Sequence, residues 1–208
     1  MIKTDKSKYN LILNKTSTYY IERSASNSFQ LMLKAGKKLA NQIFINYKKR
    51  KTLIICGIGG NGGDGFIVAQ ELLNKKWDTD VVIIGNKNLI KGDALKALNQ
   101  LKIKPKDFED IDLSKIGLFV DALFGIGLSR KINNKAKEIL KTIDKHKAPI
   151  VGVDIPSGID SNTGQVRGYA PYCDLVITFS TLKYGHILVP GSEKYNKIKV
   201  GFILQCRS

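Results

Sequence analysis

The chain has 208 residues, 43% of them hydrophobic and 25% charged, which fits one globular domain with its own core and excludes a wholly disordered chain. Its 34 Lys and Arg residues against 18 Asp and Glu residues give a formal net charge of +16, which taken alone favours a nucleic-acid partner. Only five of the cations are arginines, the side chain best suited to paired contacts with phosphate or guanine, and the lysines are scattered. We therefore interpret the excess charge as a solvated surface, keep a polyanion-binding patch as the alternative, and expect no nucleic-acid partner.

Three cysteines, Cys56, Cys173 and Cys206, are far apart in the sequence and form no Cys-x-x-Cys pair. This spacing argues against a zinc ribbon, a redox motif and a disulfide framework. Residues 1–10 are polar and charged, unlike a signal peptide, and no run approaches the ~20 apolar residues of a membrane span. We expect a soluble, cytoplasmic protein that does not enter a membrane.

The first predicted element is a helix over about 27–47. Apolar residues recur along it at steps of three and four and so fall on one face, and Asn27 with Gln30 is a capping pair at its start. Residues 1–25 carry a weaker pattern, and we expect them to form an N-terminal arm or a contact with a partner.

Beyond this helix, short apolar runs alternate with longer amphipathic segments. The runs predict strands over 52–56, 80–84, 119–121, 150–154, 175–179 and 199–204, and the segments predict helices near 65–75, 92–101 and 134–146. Runs that are apolar throughout suit strands buried on both faces, as in a parallel sheet. The alternation predicts an α/β fold, a three-layer α/β/α sandwich with a Rossmann-like and mostly parallel sheet, formed as a single domain over 1–208. Ligands of such folds bind beyond the carboxyl ends of the strands, so the residues after each run are the site candidates.

A glycine-rich stretch over 57–65, Gly-Ile-Gly-Gly-Asn-Gly-Gly-Asp-Gly, follows the first of these strands. Glycines permit positive φ and close approach of backbone N–H groups, and the following helix adds a positive dipole end, so a phosphate is the expected guest. The Gly-x-Gly-x-x-Gly match at Gly57, Gly59 and Gly62 is weak alone, because the next strand ends in Gly85-Asn86-Lys87 without the acid that binds a ribose. A P-loop is excluded because no Lys-Ser/Thr pair follows, and a tight turn without a ligand is the alternative.

Two further loops follow later strands. Asp121 closes one strand and precedes a glycine-bearing loop that ends in Arg130 and Lys131, two cations able to meet a phosphate; capping of the next helix is the alternative role of Asp121. The stretch Asp-Ile-Pro-Ser-Gly-Ile-Asp over 154–160 follows another strand, and an Asx-type turn without a function is the alternative for it.

If the three loops share one crevice, Asn61, Asp121 and Ser157 bring together oxygen donors alone. Such a set suits a hard cation better than zinc or copper.

The two histidines give no catalytic signal. His146 lies among lysines on a helix that we expect to be exposed, and His186 is expected in a surface loop. Lys183 lies closer to a strand end and is the more credible functional residue. No Ser-His-Asp arrangement or metal-binding histidine pair can be assembled.

Three segments in this order, Gly-Asn-Gly-Gly-Asp-Gly at 60–65, Val-Asp-Ala-Leu-Phe-Gly-x-Gly-Leu at 120–128 and Asp-Ile-Pro-Ser-Gly-Ile-Asp at 154–160, resemble the NAD(P)H-hydrate epimerases, the YjeF N-terminal domain family. The resemblance runs from Leu31-Met32-x-x-Ala35-Gly36 to Lys183-x-Gly185 and Pro190-Gly191, and so covers most of the chain. The three segments together are specific for this family, but none of them is specific when taken alone.

The resemblance implies a Rossmann-like homodimer that interconverts the R and S epimers of hydrated NADH and NADPH (NADHX and NADPHX) in nucleotide repair, beside a dehydratase that accepts one epimer. It implies a potassium ion (K+) bound by Asn61, Asp121 and Ser157. The residues that it implies for the hydrated nucleotide are Gly60, Asn61, Gly62, Gly63, Asp64, Gly125, Ile126, Gly127, Leu128, Ser129, Arg130, Lys131 and Asp154.

Two positions depart from the family pattern. The family has two asparagines before Gly-Gly-Asp, and the first is Gly60 here; its Leu-Met-Glu-x-Ala-Gly segment has Leu33 in place of glutamate. Gly60 has no polar side chain to offer a ligand, and we expect this to change affinity more than activity. We expect Leu33 to serve dimer or core packing.

Epimerisation requires the hydroxyl beside the ring nitrogen to leave and water to return on the opposite face of the planar cation. An acid must protonate the departing hydroxyl and a base must activate the water; we assign this proton transfer to Asp154, with Lys183 as the second choice. One competing hypothesis is a non-catalytic dimeric scaffold or an RNA- or nucleotide-binding module of the same fold, which predicts eroded strand-end loops. The other is an NAD-dependent oxidoreductase, which the missing ribose acid disfavours.

Overall fold

The computed structural model describes residues 11–23 and 27–201. Within them the strands are β1 (Ile12–Leu13), β2 (Thr52–Cys56), β3 (Thr79–Ile83), β4 (Leu118–Ala122), β5 (Ile150–Val153), β6 (Cys173–Phe179), β7 (Leu182–Lys183) and β8 (Tyr195–Gly201). The helices are α1 (Lys15–Arg23), α2 (Ser28–Asn46), α3 (Gly60–Asn74), α4 (Gly92–Gln100), α5 (Asn134–Asp144) and α6 (Tyr184–Ile187).

The main sheet has the order β3-β2-β4-β5-β6-β8, and each neighbouring pair is parallel. Its central strands are buried along their whole length, as expected for strands covered on both faces. The predicted parallel α/β sandwich is confirmed. The last predicted strand begins at Tyr195, four residues before the predicted start, and the predicted part over 202–204 lies outside the described residues.

Side chains that alternate along each strand build two cores on opposite faces of the sheet. Ile54 and its neighbours on that face pack under α2, α3 and α4, together with Leu39 and Phe66. Leu53 and Ile55 point to the other face, which α5 covers. This alternation follows from the two-residue period of a strand and gives the three predicted layers. The Asn27 side chain accepts a hydrogen bond from the Gln30 N–H at the start of α2, as predicted.

Helix α3 begins at Gly60, five residues before the predicted start, so the second half of the glycine stretch is its first turns. The glycines with positive φ lie elsewhere in the described chain, at 85, 92, 158, 164 and 168, so positive φ is the wrong explanation for residues 57–65. Close approach is the right one: a Cβ at Gly62 would lie 1.9 Å from the carbonyl oxygen of Gly57. The tight contact sets the start of α3 directly against the end of β2.

The predicted N-terminal arm packs back onto the domain where it is described. β1 pairs in parallel with β7, and the Leu182 N–H donates to the Leu11 carbonyl over 3.1 Å. The Lys15 N–H donates to the Asn162 side chain and the Lys15 ammonium to the Gly127 carbonyl. Residues 1–10 and 24–25 of the predicted arm lie outside the described residues. None of the described helices combines the length and apolar character needed to cross a bilayer.

A pair of alanine substitutions tests the close approach of α3 to β2. Gly62→Ala should destabilise the protein by about 1–3 kcal/mol or more, because its Cβ would collide with backbone. In Gly60→Ala, two residues away, the new Cβ meets nothing within 4 Å, and the change should be neutral or stabilise by up to ~1 kcal/mol. Urea unfolding of both variants gives the comparison, and equal stabilities would contradict it.

Candidate active site

A cleft of about 770 Å³ opens at the carboxyl ends of β2, β3, β4, β5 and β6. The chain leaves β2 for β3 on one side and enters β4 on the other, so the cleft lies where the strand order reverses. This switch point is where ligands of open α/β sheets bind, and the volume lies in the range of small-molecule sites.

Most residues that the resemblance implies for the nucleotide line this cleft. Those on its wall are Gly60, Asn61, Asp64, Gly125, Ile126, Gly127, Leu128, Ser129, Arg130 and Asp154. Gly62, Gly63 and Lys131 are not on the wall. Gly62 lies against Gly57, while a Cβ at Gly63 would lie 2.7 Å from the end of the Met32 side chain. These two glycines therefore position α3 instead of facing a ligand.

Asp121 and Ser157 are joined beneath the cleft, and both side chains are fully buried. The Ser157 hydroxyl donates to Asp121 Oδ1 over 2.6 Å, and the Ser157 N–H donates to Oδ2 over 2.9 Å. Ser157 Oγ in turn accepts the Phe124 N–H over 2.8 Å and lies 3.3 Å from the Phe124 carbonyl oxygen. The contacts tie the ends of β4 and β5 together.

Asn61 reaches the same region from the first turn of α3. Its side chain packs so closely on Gly125 that a Cβ there would lie 2.9 Å from Asn61 Oδ1. The amide Nδ2 of Asn61 is buried without a hydrogen-bond partner. A half-turn of the amide exchanges its nitrogen and oxygen, and an oxygen in this position could bind a cation.

A carboxylate, a hydroxyl and the Phe124 carbonyl thus meet here, and the Asn61 amide lies against the neighbouring Gly125. Burial raises the pKa of the Asp121 carboxyl, although hydrogen bonds from Ser157 and Leu123 oppose the rise. Within residues 11–23 and 27–201, no ammonium or guanidinium group pairs with Asp121. A hard cation fits this donor set and would compensate the buried charge.

Asp154 occupies a strained turn directly after β5. Its φ is +63°, in the left-handed region, which costs most residues about 1–3 kcal/mol and aspartate less than most. The Ile155 N–H donates to the Val153 carbonyl and so closes a tight turn at Asp154. The Asp154 N–H donates to the Ile177 carbonyl over 2.8 Å. Ser180 repeats this turn after the neighbouring β6, with φ of +57°. The turn places the Asp154 side chain on the cleft wall.

The Lys183 ammonium lies behind Asp154, with an exposed fraction of 0%. It donates to Asp154 Oδ1 over 2.5 Å, to Thr178 Oγ1 over 2.8 Å and to the Phe179 carbonyl over 3.3 Å. Asp154 Oδ1 also accepts the Thr178 hydroxyl over 2.9 Å, while Oδ2 takes none of these bonds. Lys183 is not on the cleft wall, so its ammonium contacts Asp154 and does not face the cleft.

The buried pair sets the charge of Asp154. Burial alone would raise the pKa of this carboxyl, but the charge and hydrogen bond of Lys183 outweigh burial, and the pKa is lowered below its usual range. Asp154 is therefore a carboxylate at neutral pH, available as a base.

His186 is fully buried, and its expected place in a surface loop is wrong. The Lys183 N–H donates to His186 Nδ1 over 3.0 Å, so Nε2 carries the ring proton and donates to the Asp154 carbonyl over 2.9 Å. Burial lowers the pKa of His186 to about 4, which keeps the ring neutral. The Tyr195 hydroxyl donates to the His186 carbonyl over 2.6 Å. This chain of bonds holds the backbone of the Asp154 turn.

Thr178, His186 and Tyr19 are functional-site residues that sequence reasoning misses. Thr178 lies inside an apolar strand, and nothing in its neighbourhood marks its contact with Asp154. Tyr19 reaches the cleft wall from α1, and its hydroxyl lies near Gly127. Of these three residues, only His186 has a sequence signal: it lies three residues after Lys183, a spacing that fits one helical turn.

A family model described as YjeF-related protein N-terminus matches residues 23–185, which include all the strand-end loops described above. The chain belongs to this YjeF N-terminal family. The NAD(P)H-hydrate epimerase of Oenococcus oeni is 32% identical over 182 residues, which cover 84% of this chain and 85% of that protein. The NAD(P)H-hydrate epimerase of Weissella koreensis is 31% identical over 161 residues, 72% of this chain and 69% of that protein.

Other relatives are longer. The bifunctional NAD(P)H-hydrate repair enzyme Nnr of Methanopyrus kandleri is 30% identical over 168 residues, 74% of this chain but 34% of that protein. The chain thus spans about a third of the length of these bifunctional members of the YjeF N-terminal family. The crystal structure of the yeast protein YNL200c matches with a TM-score of 0.75 over 92% of this chain and 88% of that one, at 21% identity, and shows the same fold.

The two departures from the YjeF N-terminal pattern have different surroundings. Gly60 is on the cleft wall with open space where a side chain would be, so the expected effect on affinity fits the geometry. Leu33 is half-buried and packs on the core beneath α2, which gives it a role within the domain.

Removal of the Lys183 charge tests the buried pair without any assay of function. Lys183→Met should cost about 3–5 kcal/mol at pH 7, because Asp154 is left buried without a cation. Wild-type Asp154, with its lowered pKa, stabilises the fold above the unfolded-state pKa of about 3.9. In Lys183→Met, burial without a cation raises the folded-state pKa of Asp154. The difference in stability between the wild-type protein and the variant should therefore shrink as the pH falls from 7 toward 4.5, because Asp154 of the variant takes up a proton.

The control for this comparison is Lys51→Met at the opposite end of the sheet. Lys51 pairs with Asp78 and Asp80 over 2.9 Å, and its loss should cost about 0–1 kcal/mol at either pH because Lys106 still pairs with Asp80. Urea unfolding at both pH values measures the differences. A Lys183→Met penalty that does not change with pH would show that Asp154 is not the group responsible.

Proposed function

We propose that the protein is an NAD(P)H-hydrate epimerase that interconverts the R and S epimers of hydrated NADH and NADPH. The observation that carries the proposal is the carboxylate of Asp154, held charged by Lys183 on the wall of a cleft that begins at the glycine turn of α3. The names of the Oenococcus oeni and Weissella koreensis relatives give the substrate.

The cleft suggests how the nucleotide is oriented. The first turn of α3 at Gly60 has N–H groups without intrahelical acceptors, and its N-cap Gly59 has no side chain to satisfy them. A pyrophosphate there would gain these donors, the helix dipole and the charge of Arg130 on the facing wall. The hydrated nicotinamide ring would then reach Asp154.

Asp154 supplies the base that the chemistry requires. The nitrogen lone pair of the ring assists departure of the hydroxyl and leaves a planar cation, and water adds to either face. The Asp154 carboxylate takes a proton from water that adds to its own face. By microscopic reversibility, protonated Asp154 returns that proton to the hydroxyl of the same epimer when it departs, and on the opposite face the proton is exchanged with solvent water.

Lys183 acts through Asp154 and is a positioning residue in this proposal. Its three hydrogen-bond contacts leave the ammonium no access to the cleft. It keeps Asp154 ionised between turnovers, and with Thr178 it directs Oδ1 away from the substrate.

A potassium ion is the second part of the proposal, with Asn61, Asp121 and Ser157 as ligands. The support is the Asn61 Nδ2 atom, which is buried without a hydrogen-bond partner, and the buried carboxylate of Asp121, which pairs with no cation among the described residues. When bound, the ion supplies a fixed positive charge that orders the loops after β2, β4 and β5 and attracts the substrate phosphates.

A dehydratase that consumes one epimer is the expected functional partner. The bifunctional NAD(P)H-hydrate repair enzyme of Methanopyrus kandleri supports this link, because this chain matches only 34% of its length. The homodimer stays a prediction from the family resemblance.

The scaffold alternative predicts a degraded site. Instead, Asp121 and Ser157 are hydrogen-bonded to each other and buried, and Lys183 and Thr178 hold Oδ1 of Asp154. Chiral chromatography of hydrated NADH with the protein, together with a measurement of RNA binding, decides between the enzyme and the scaffold. Epimer exchange supports the enzyme, and salt-sensitive RNA binding without exchange supports the scaffold.

Asp154→Asn should lower the rate of epimer exchange by about 100-fold or more, because the amide cannot accept the proton. Binding of NADH should stay measurable by calorimetry. Asp160→Asn is the matched control in the same segment; Asp160 pairs with Arg167 outside the cleft wall, so this variant should keep its exchange rate. Exchange by Asp154→Asn near the wild-type rate would remove Asp154 from the mechanism.

Potassium should raise the melting temperature of the wild-type protein when it replaces choline at constant ionic strength, because an ion bound only by the folded state stabilises it. Asp121→Asn should lose this shift. Asp80→Asn, a buried aspartate at the other end of the sheet, should keep it. A shift of equal size in both variants would place the ion elsewhere.

A further inference from the structure

The end of the cleft farthest from Asp154 carries an acid that the sequence pattern does not predict. The loop after β3 contains Gly85 and Asn86 on the cleft wall and has no acid there. Asp93, in the first turn of α4, lines the cleft beside them. Ser28, at the start of α2, lines the same end. The carboxylate therefore comes from the following helix and reaches the place where dinucleotide folds bind a ribose.

The Asp93 carboxylate is fixed in a defined orientation. The Ser28 hydroxyl hydrogen-bonds to it, and Lys96 Nζ lies 2.9 Å from Oδ1. These contacts lower the pKa of Asp93, with the Ser28 bond as the largest cause, so the group stays ionised. Its side chain is 18% exposed, which leaves part of the carboxylate open to a ligand.

An apolar surface lies beside this carboxylate. Leu89 lines the cleft and is 59% exposed, although it is a large hydrophobic side chain. Leu31 and Met32, both half-buried, lie on the cleft wall as well. Apolar side chains next to a hydroxyl-binding acid suit a flat base attached to a sugar.

The separation of the two ends matches a dinucleotide laid across the sheet. Asp154 directly follows β5, and Asp93 lies in α4, the helix after β3. The ends of β3 and β5 are three strand spacings apart in the sheet order, or about 14 Å. The start of α3, where the pyrophosphate is expected, lies between them after β2.

We propose that this end of the cleft is an adenosine subsite in which Asp93 accepts the ribose hydroxyls and disfavours a 2′-phosphate, so that NADHX is preferred over NADPHX. The inference rests on the proposed function and specifies its substrate. A carboxylate at this point repels a phosphate. Lys96 offsets part of the Asp93 charge, but it does not line the cleft, and neither does Lys87, which pairs with Asp107.

A simpler role for Asp93 is stabilisation of α4, since acids in the first turn interact favourably with the helix dipole. That role explains its contact with Lys96. It does not require the carboxylate to face the cleft, or an exposed leucine to lie beside it.

The test measures kcat/KM for NADHX and for NADPHX. The wild-type enzyme should prefer NADHX about tenfold or more, the scale of a hydrogen bond to a charged group. Asp93→Asn should bring the ratio toward one, through KM and not kcat, because the amide no longer repels the phosphate. Asp107→Asn removes the same charge from an exposed pair outside the cleft and should keep the wild-type ratio. An unchanged ratio in Asp93→Asn, or a change confined to kcat, would overturn the proposal.

Binding measurements separate this inference from the proposed function. If neither nucleotide is epimerised, the proposed function fails, and calorimetry with ADP-ribose and 2′-phospho-ADP-ribose still tests the subsite. The wild-type protein should bind ADP-ribose more tightly than its 2′-phosphate, and Asp93→Asn should not. Leu89→Ala, at an exposed position that the fold does not need, should weaken ADP-ribose and leave ribose 5-phosphate unchanged. Equal binding of both probes by the wild-type protein, or no effect of Leu89→Ala, would refute the subsite.

Discussion

The contact between the Lys183 ammonium and the Asp154 carboxylate joins the end of β5 to β7, and both side chains are buried. Two buried charges are stable there only if each is compensated, so Thr178 and the Phe179 carbonyl take the remaining protons of the ammonium. The left-handed turn at Asp154 depends on the same set, because His186 bonds to its carbonyl. One electrostatic constraint thus fixes the position, the charge and the backbone of the group that faces the cleft. In the proposed reaction that group is the base.

The fold was predictable because buried parallel strands show as apolar runs. β2 was predicted to the residue, and β3 and β4 to within one residue at each end. The start of α3 was missed because glycines are rated as helix breakers, whereas Gly62 is needed where α3 crosses the Gly57 carbonyl. Contact between two backbones five residues apart depends on how helix and strand pack, which no local pattern contains.

The site was predictable where residues end a strand, as Asp121 and Asp154 do. It was not predictable where a side chain arrives from another element. Asp93 comes from the first turn of α4 and His186 from a short helix beyond β7, so their distance from the cleft is set by packing. Lys183 was predicted to be functional, but its sequence position does not show that it lies behind Asp154 instead of on the cleft wall. The excess of lysine had little value for locating the site, since Arg130 is the one cationic side chain on the cleft wall within the described part of the chain.

The central claim is that the hydroxyl of the hydrated nicotinamide leaves and is replaced by water activated at Asp154. Incubation of one epimer of hydrated NADH with the enzyme in oxygen-18 water tests it, with mass spectrometry of both epimers separated by chiral chromatography. Loss and return of the hydroxyl predicts one labelled oxygen in each molecule of inverted product, formed faster than in a control without enzyme. Inverted product that lacks the label would contradict the mechanism, and a rate equal to that of the control would contradict the catalytic role of the site.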